Sequence, residues 1–226
     1  DNGRIVNKAV YVVLGIDKDG MKDVLGIWIG ESEGAKFWMQ VLTDLKNRGA
    51  HDILFASVDG LEGFSEAIHA VFTDTIVQRC IVHQIRNTLK YVPHKDKKAF
   101  AAALRTIYTA ATEEAGYQAL QDVKVEWPAY AIYLQSWETQ WAELSPFYQY
   151  APAIRRILYT TNPIESLNRQ FRKVTKSTTI FPHDEALMKL LWLAQRDIAR
   201  KWSMVQKNWG EIISQLSILF PEKVQL

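Results

Sequence analysis

The sequence predicts an α/β fold, with a small mixed sheet in front and a long all-helical stretch behind. Three observations carry that expectation. Short runs of β-branched and aromatic residues crowd the chain between Val10 and Ile81. Helix-period apolar residues separate the later runs. After Pro93 the strand signal stops.

The elements follow in order. Val10–Ile16 and Val24–Ile29 flank Asp17-Lys18-Asp19-Gly20 and read as an antiparallel hairpin. Ser32 is a candidate N-cap for a helix that sets Phe37, Trp38, Val41, Leu42 and Leu45 on one face, with Gly49 at its C′ position. Ile53–Val58 has no polar alternation, which predicts a central strand covered on both faces. A short helix spans Ser65 to Val71. Ile76–Ile81 reads as another strand, with Cys80 a buried strand residue, and runs into a helix bearing Arg86, Asn87 and Lys90. From 95 to 145 the spacing predicts only helices, with Trp127, Trp137 and Trp141 as core. Three more helices start near 163, 184 and 203. The expected domains are sheet and helices over 1–92, a helical insertion over 93–150, and C-terminal helices over 151–226 that complete the core. A hairpin followed by helix-linked strands is what a ribonuclease-H-like mixed sheet looks like from its second strand onward, with the first strand missing.

Composition sets bounds on function. The 226 residues are 48% hydrophobic and 23% charged, as in an ordinary globular protein, and the net charge of +2 is too small to demand a nucleic-acid partner. Its distribution is more telling. Between Arg155 and Lys207 basic residues outnumber Glu165, Asp184, Glu185 and Asp197, which fits a phosphate-facing surface or a solvated helix face. The single cysteine, Cys80, rules out an intramolecular disulfide and fits a reducing compartment. No apolar run reaches the ~18 residues of a membrane span, and no secretory pattern opens the chain. The chain starts at Asp1 without methionine and reads as a piece of a longer polypeptide.

Two carboxylates stand out. Asp59 ends the most apolar strand, where α/β sheets gather ligand-binding groups; Asp59-Gly60 reads equally as a turn. Glu165 lies at the third helical position after Asn162 and Pro163, where it suits a capping box as well as a metal. One helical turn further, Asn168, Arg169 and Arg172 share its side, while Leu167, Phe171 and Val174 form an apolar face. Lys173 and Lys176 continue the basic run. Cys80-Ile81-Val82-His83 supplies one ligand pair where a structural zinc needs four, which disfavours zinc. His83 fits a satisfied histidine or a group near the carboxylates. His69 and His94 stand alone, and Glu31 and Glu33 fit a solvated helix start.

Four phrases together resemble the catalytic region of Mutator-type transposases of bacterial insertion sequences. They are Gly30-Glu31-Ser32-Glu33-Gly34-Ala35-Lys36-Phe37-Trp38, Val58-Asp59-Gly60-Leu61, Cys80-Ile81-Val82-His83-Gln84-Ile85-Arg86-Asn87, and Tyr159-Thr160-Thr161-Asn162-Pro163-Ile164-Glu165-Ser166-Leu167-Asn168-Arg169. The resemblance implies a ribonuclease-H-like fold, an Asp-Asp-Glu triad and two divalent ions, magnesium or manganese. Asp59 matches the second Asp, Glu165 the Glu, and Cys80 and His83 the Cys-x-x-His signature beside the site. The first Asp has no counterpart here, so the expectation is a fragment holding two of three ligands and inactive alone. Implied partners are transposon-end and target DNA and further copies of the protein, with no membrane and no small-molecule cofactor; the implied setting is the bacterial cytoplasm. Asn168, Arg169, Arg172, Lys173 and Lys176 are the expected DNA contacts. A ribonuclease-H-like nuclease or resolvase and a non-catalytic DNA-binding or oligomerisation remnant are the rival readings.

Overall fold

A computed structural model describes residues 5–30, 34–61, 63–159, 162–178 and 180–225, without the side chain of residue 162. Ser32, Glu31, Glu33, Thr160 and Thr161 lie outside the described residues, and so does the expected cap at Ser32. The chain forms two compact units, one of residues 1–51 and 162–226 and one of residues 52–161.

The first unit is built on the predicted hairpin. β1 (Ala9–Ile16) and β2 (Lys22–Gly30) pair antiparallel. The turn closes because the Asp17 side-chain oxygen accepts from the amides of Asp19 (2.9 Å) and Met21 (2.8 Å). The register shifts between Val13 and Leu14, so that Val12 faces Ile27 and Leu14 faces Val24. One extra residue, Leu25, is thereby inserted in β2, and Val24 and Ile27, an odd number of positions apart, end up on the same face. That face meets α9 (Asn162–Thr175) and α10 (Asp184–Ala199). Leu167, Phe171, Leu191 and Ile198 form the buried centre, ringed by Val12, Leu14, Val24 and Ile27. On the opposite face Tyr11 packs against Phe37 (ring centroids 4.5 Å apart) and Trp38 (5.4 Å) of α1 (Ala35–Asn47). α1 buries Trp38, Val41, Leu42 and Leu45 as the spacing predicted, and Gly49, with φ +104°, ends it.

The last helix departs from expectation. α11 (Trp209–Leu219) begins six residues later than position 203. Asn208 takes a left-handed φ of 61°, which the interior of a helix does not admit. The segment before it is spent on the hairpin turn instead: the Gln206 amide donates to the Gly20 carbonyl (2.8 Å) and the Trp209 indole to that of Lys18 (2.9 Å).

The second unit opens with β3 (Phe55–Val58), then α2 (Phe64–Val71), β4 (Ile76–Arg79) and α3 (Ile81–Leu89). β3 and β4 are parallel, with Val58 opposite Arg79. β3 is shorter than the apolar run predicted, and only Val58 is buried in it. Among the described residues it has a single partner, and in a two-stranded sheet neither strand is central. Helices follow: α4 (His94–Tyr108), α5 (Glu113–Glu126), α6 (Ala131–Thr139), α7 (Trp141–Leu144) and α8 (Pro152–Tyr159). Their interior includes Phe100, Leu104, Leu120, Leu134 and Trp137, all without exposed surface. Trp127 and Trp141, expected in the core, are half-buried.

Buried polar groups lock this unit together. Gln78 of β4 is fully enclosed; its amide donates to the Leu144 carbonyl (2.9 Å) and its oxygen accepts from the Phe147 amide (3.0 Å). On α3, Gln84 donates to Ser136 (2.9 Å) and Thr88 accepts from the Trp137 indole (2.8 Å), fixing that helix to α6. No helix among the described residues is long and apolar enough to cross a membrane.

Candidate functional site

The parallel register of β3 and β4 builds the candidate site in the second unit. Because Val58 stands opposite Arg79, the two strands end level and Asp59 and Cys80 leave the sheet together. The Cys80 amide donates to the Val58 carbonyl (2.8 Å), which holds the two chain segments at that point. α3 then starts at once. Cys80, expected inside the strand, lies just past its observed end at Arg79 and is instead the N-cap of α3, its sulfur accepting from the His83 amide at 3.4 Å. The side chain is buried all the same, 3% exposed.

This cap sets the direction of His83. Its Nδ1 lies 3.4 Å from Asp59 Oδ1, with the two side chains 40% and 60% exposed. The Asp59 carboxylate is therefore open to solvent and supported from one side by an imidazole. Burial pushes the Cys80 thiol above its ordinary value; the His83 amide pulls it back in part, and the Asp59 charge adds to the rise. The thiol stays protonated at neutral pH and acts as a cap rather than a nucleophile.

The turn reading of Asp59-Gly60 holds in the structure. Asp59 follows the strand end, and Gly60 turns the chain with φ +73°. A Cβ at Gly60 would stand 2.2 Å from the Arg79 guanidinium carbon, the movable end of a long side chain, so it is the left-handed φ that calls for glycine here. Arg79 is itself held by Glu143 at 2.8 Å. Sequence reasoning missed the Arg79–Gly60 packing. A glycine directly after a strand-end carboxylate was its only signal.

The other predicted residues share α9 of the first unit. Leu167 and Phe171 are buried and Val174 is half-buried, as the spacing required. Glu165 lies in the first turn, half-buried. Asn168, Arg169, Arg172, Lys173 and Lys176 are all exposed. The capping box expected at Asn162 falls on a side chain outside the described residues. Arg155, counted in the basic excess, has another task. Its guanidinium donates to the carbonyls of Tyr150, Tyr148 (2.7 Å) and Ala110 (3.2 Å) within the second unit.

Asp59, Cys80 and His83 thus cluster by construction, and α9 presents one carboxylate with a basic stripe. Among the described residues no three His, Cys, Asp or Glu side chains gather closely enough to hold a metal ion. The chain falls in the broad class of mixed α/β proteins that set polar groups just beyond the carboxyl ends of parallel strands. Residues 1–205 match the family described as Transposase, Mutator family. The chain belongs to the Mutator family of transposases.

Relatives agree. The transposase for insertion sequence element ISRM3 of Rhizobium meliloti (strain 1021) is 47% identical over 99% of this chain and 56% of its own length. A probable transposase for an insertion sequence element of Corynebacterium diphtheriae is 39% identical over 99% of this chain and 71% of its own. The transposase for IS256 in transposon Tn4001 of Staphylococcus aureus is 27% identical over 89% of this chain and 52% of its own. The chain spans little more than half the length of the first two curated relatives it matches.

Proposed function

We propose that this chain is the catalytic region of a DNA transposase that cuts transposon ends and joins them to target DNA, with Asp59 and Glu165 as two of its three metal-binding carboxylates on a ribonuclease-H-like sheet. The observation that carries the reading is the exposed Asp59 carboxylate at the end of β3, backed by His83. Carboxylate oxygens are the donors that hard divalent cations such as magnesium or manganese take, so the residue types fit the group. When bound, such ions supply Lewis acidity and a more acidic water.

The chain's own residues do the rest. Asp59 and Glu165 hold negative charge at fixed points, one after a strand and one at the start of a helix. His83 braces Asp59 against rotation, and Cys80 fixes the turn from which His83 projects. On α9, Arg169, Arg172, Lys173 and Lys176 offer charge to backbone phosphates, and Asn168 a neutral donor. Contacts of that kind position DNA without reading its sequence.

The test is magnesium-dependent cleavage and strand transfer by the full-length parent on its own transposon-end duplex. Asp59→Asn and Glu165→Gln should each reduce both steps to the level of a protein-free control. Full cleavage with no joining in the wild-type protein would favour a nuclease, and full activity in either variant would overturn the carboxylate assignment.

A further inference from the structure

A run of near-parallel aromatic rings crosses the helical part of the second unit and ends at the surface. Trp127 and Tyr130 stack with centroids 5.9 Å apart and planes 19° from parallel. Tyr130 and Tyr133 follow at 6.4 Å and 22°, and Tyr133 and Tyr91 at 5.2 Å and 19°. Local geometry explains the order. Residues 128–130 form a 3₁₀ turn, in which side chains three apart eclipse, and α6 continues the line to Tyr133. The inner end is anchored, because the fully buried Phe100 touches both Trp127 (5.3 Å) and Tyr130 (5.2 Å). The outer end is not. Tyr91 sits in the turn between α3 and α4 and is 59% exposed, held there by its buried neighbour Val92.

The surroundings of the outer ring are cationic. The Lys90 ammonium lies 5.8 Å from the Tyr91 centroid. From 90 to 98 the chain carries Lys90, Lys95, Lys97 and Lys98 against a single acid, Asp96. That carboxylate accepts the Tyr130 hydroxyl at 2.6 Å and so belongs to the ladder itself. A rigid flat ring at the surface, continued inward by parallel rings and flanked by lysines, is the combination that binds unpaired nucleic acid. The ring stacks on a base and the cations meet the phosphates.

We infer that Tyr91 is a stacking platform for an unpaired nucleobase of single-stranded DNA, with Lys90 contacting the adjoining phosphate. This rests on the reading of the chain as a DNA-processing protein but not on Asp59 or Glu165, so the two can fail separately. The experiment measures anisotropy of the full chain with a labelled thymidine single strand, the same strand with abasic sites, and a duplex. A single strand carrying 2-aminopurine reports stacking by quenching. Tyr91→Ala should weaken thymidine-strand binding about 5- to 100-fold and abolish the quenching. It should leave the abasic strand and the duplex unchanged. Tyr91→Phe should bind like the parent chain. Should Tyr91→Ala melt early, Tyr91→Leu, which keeps apolar bulk without a flat ring, decides by the same criteria. Equal affinity in the ring-less variant, an equal loss on the abasic strand, or no single-strand binding by the parent chain would each overturn the inference. Duplex cleavage by the full-length protein is a separate readout, and its failure would bear on the carboxylates alone.

Discussion

At the scale of single residues, the strand-end cluster makes the sharpest statements. His83 touches Asp59 without being needed to hold a metal, so removing it should loosen rather than abolish the site. His83→Ala in the full-length protein should lower magnesium-dependent cleavage about 10- to 100-fold, the range found for groups that orient a ligand. Circular dichroism should show an unchanged fold. Cys80 gives a second prediction. Buried and with its thiol pushed up, it should react with iodoacetamide only slowly at neutral pH in the native chain, and rapidly once urea unfolds it. Fast native labelling would contradict the cap. The contact between His83 and Asp59 was only half legible in the sequence, which left His83 as either a satisfied histidine or a group near the carboxylates. It depends on the register that brings Val58 beside Arg79, and register is a property of two strands, not of either phrase.

Single elements carry the separation of stability from binding. α9 was readable in advance because its two faces obey one period: Leu167 and Phe171 inward, Arg169 and Arg172 outward. Phe171→Ala should cost about 3–5 kcal/mol of stability, read from denaturant melts. Arg169→Ala should leave stability within about 0.5 kcal/mol while reducing the slope of log affinity against log salt by about 1. Between α5 and α6, the Glu138 carboxylate accepts from Lys124 (2.6 Å) and Gln121 (2.8 Å). The Lys124 hydrogen bond, with that of Gln121, holds its carboxyl below the ordinary range. A depressed carboxyl contributes stability that is complete above its unfolded pKa and disappears as pH falls through the folded one. Melting temperature should therefore drop on acidification below about pH 4.5, and Glu138→Gln should flatten that part of the profile. A strand such as β3 was harder to read, since a short and mostly apolar run does not say how many neighbours the strand will have.

For the whole molecule, the order of elements from hairpin to α3 was legible because turns rich in Gly and Asp separate apolar runs of different period. What escaped was set by distant partners. The hairpin turn claims Gln206 and Trp209 and delays α11, and the helices around Trp137 claim Gln78, Gln84 and Thr88. The central proposal belongs to this scale as well: that Asp59 and Glu165, far apart in the sequence, are each metal-binding carboxylates of the full-length protein. Manganese affinity of the full-length protein, measured by electron paramagnetic resonance for Asp59→Asn, Glu165→Gln and the double variant, tests it most directly. The proposal predicts that each single change weakens binding and that the double variant binds no more tightly than either. Undiminished manganese binding after Asp59→Asn or after Glu165→Gln would contradict it.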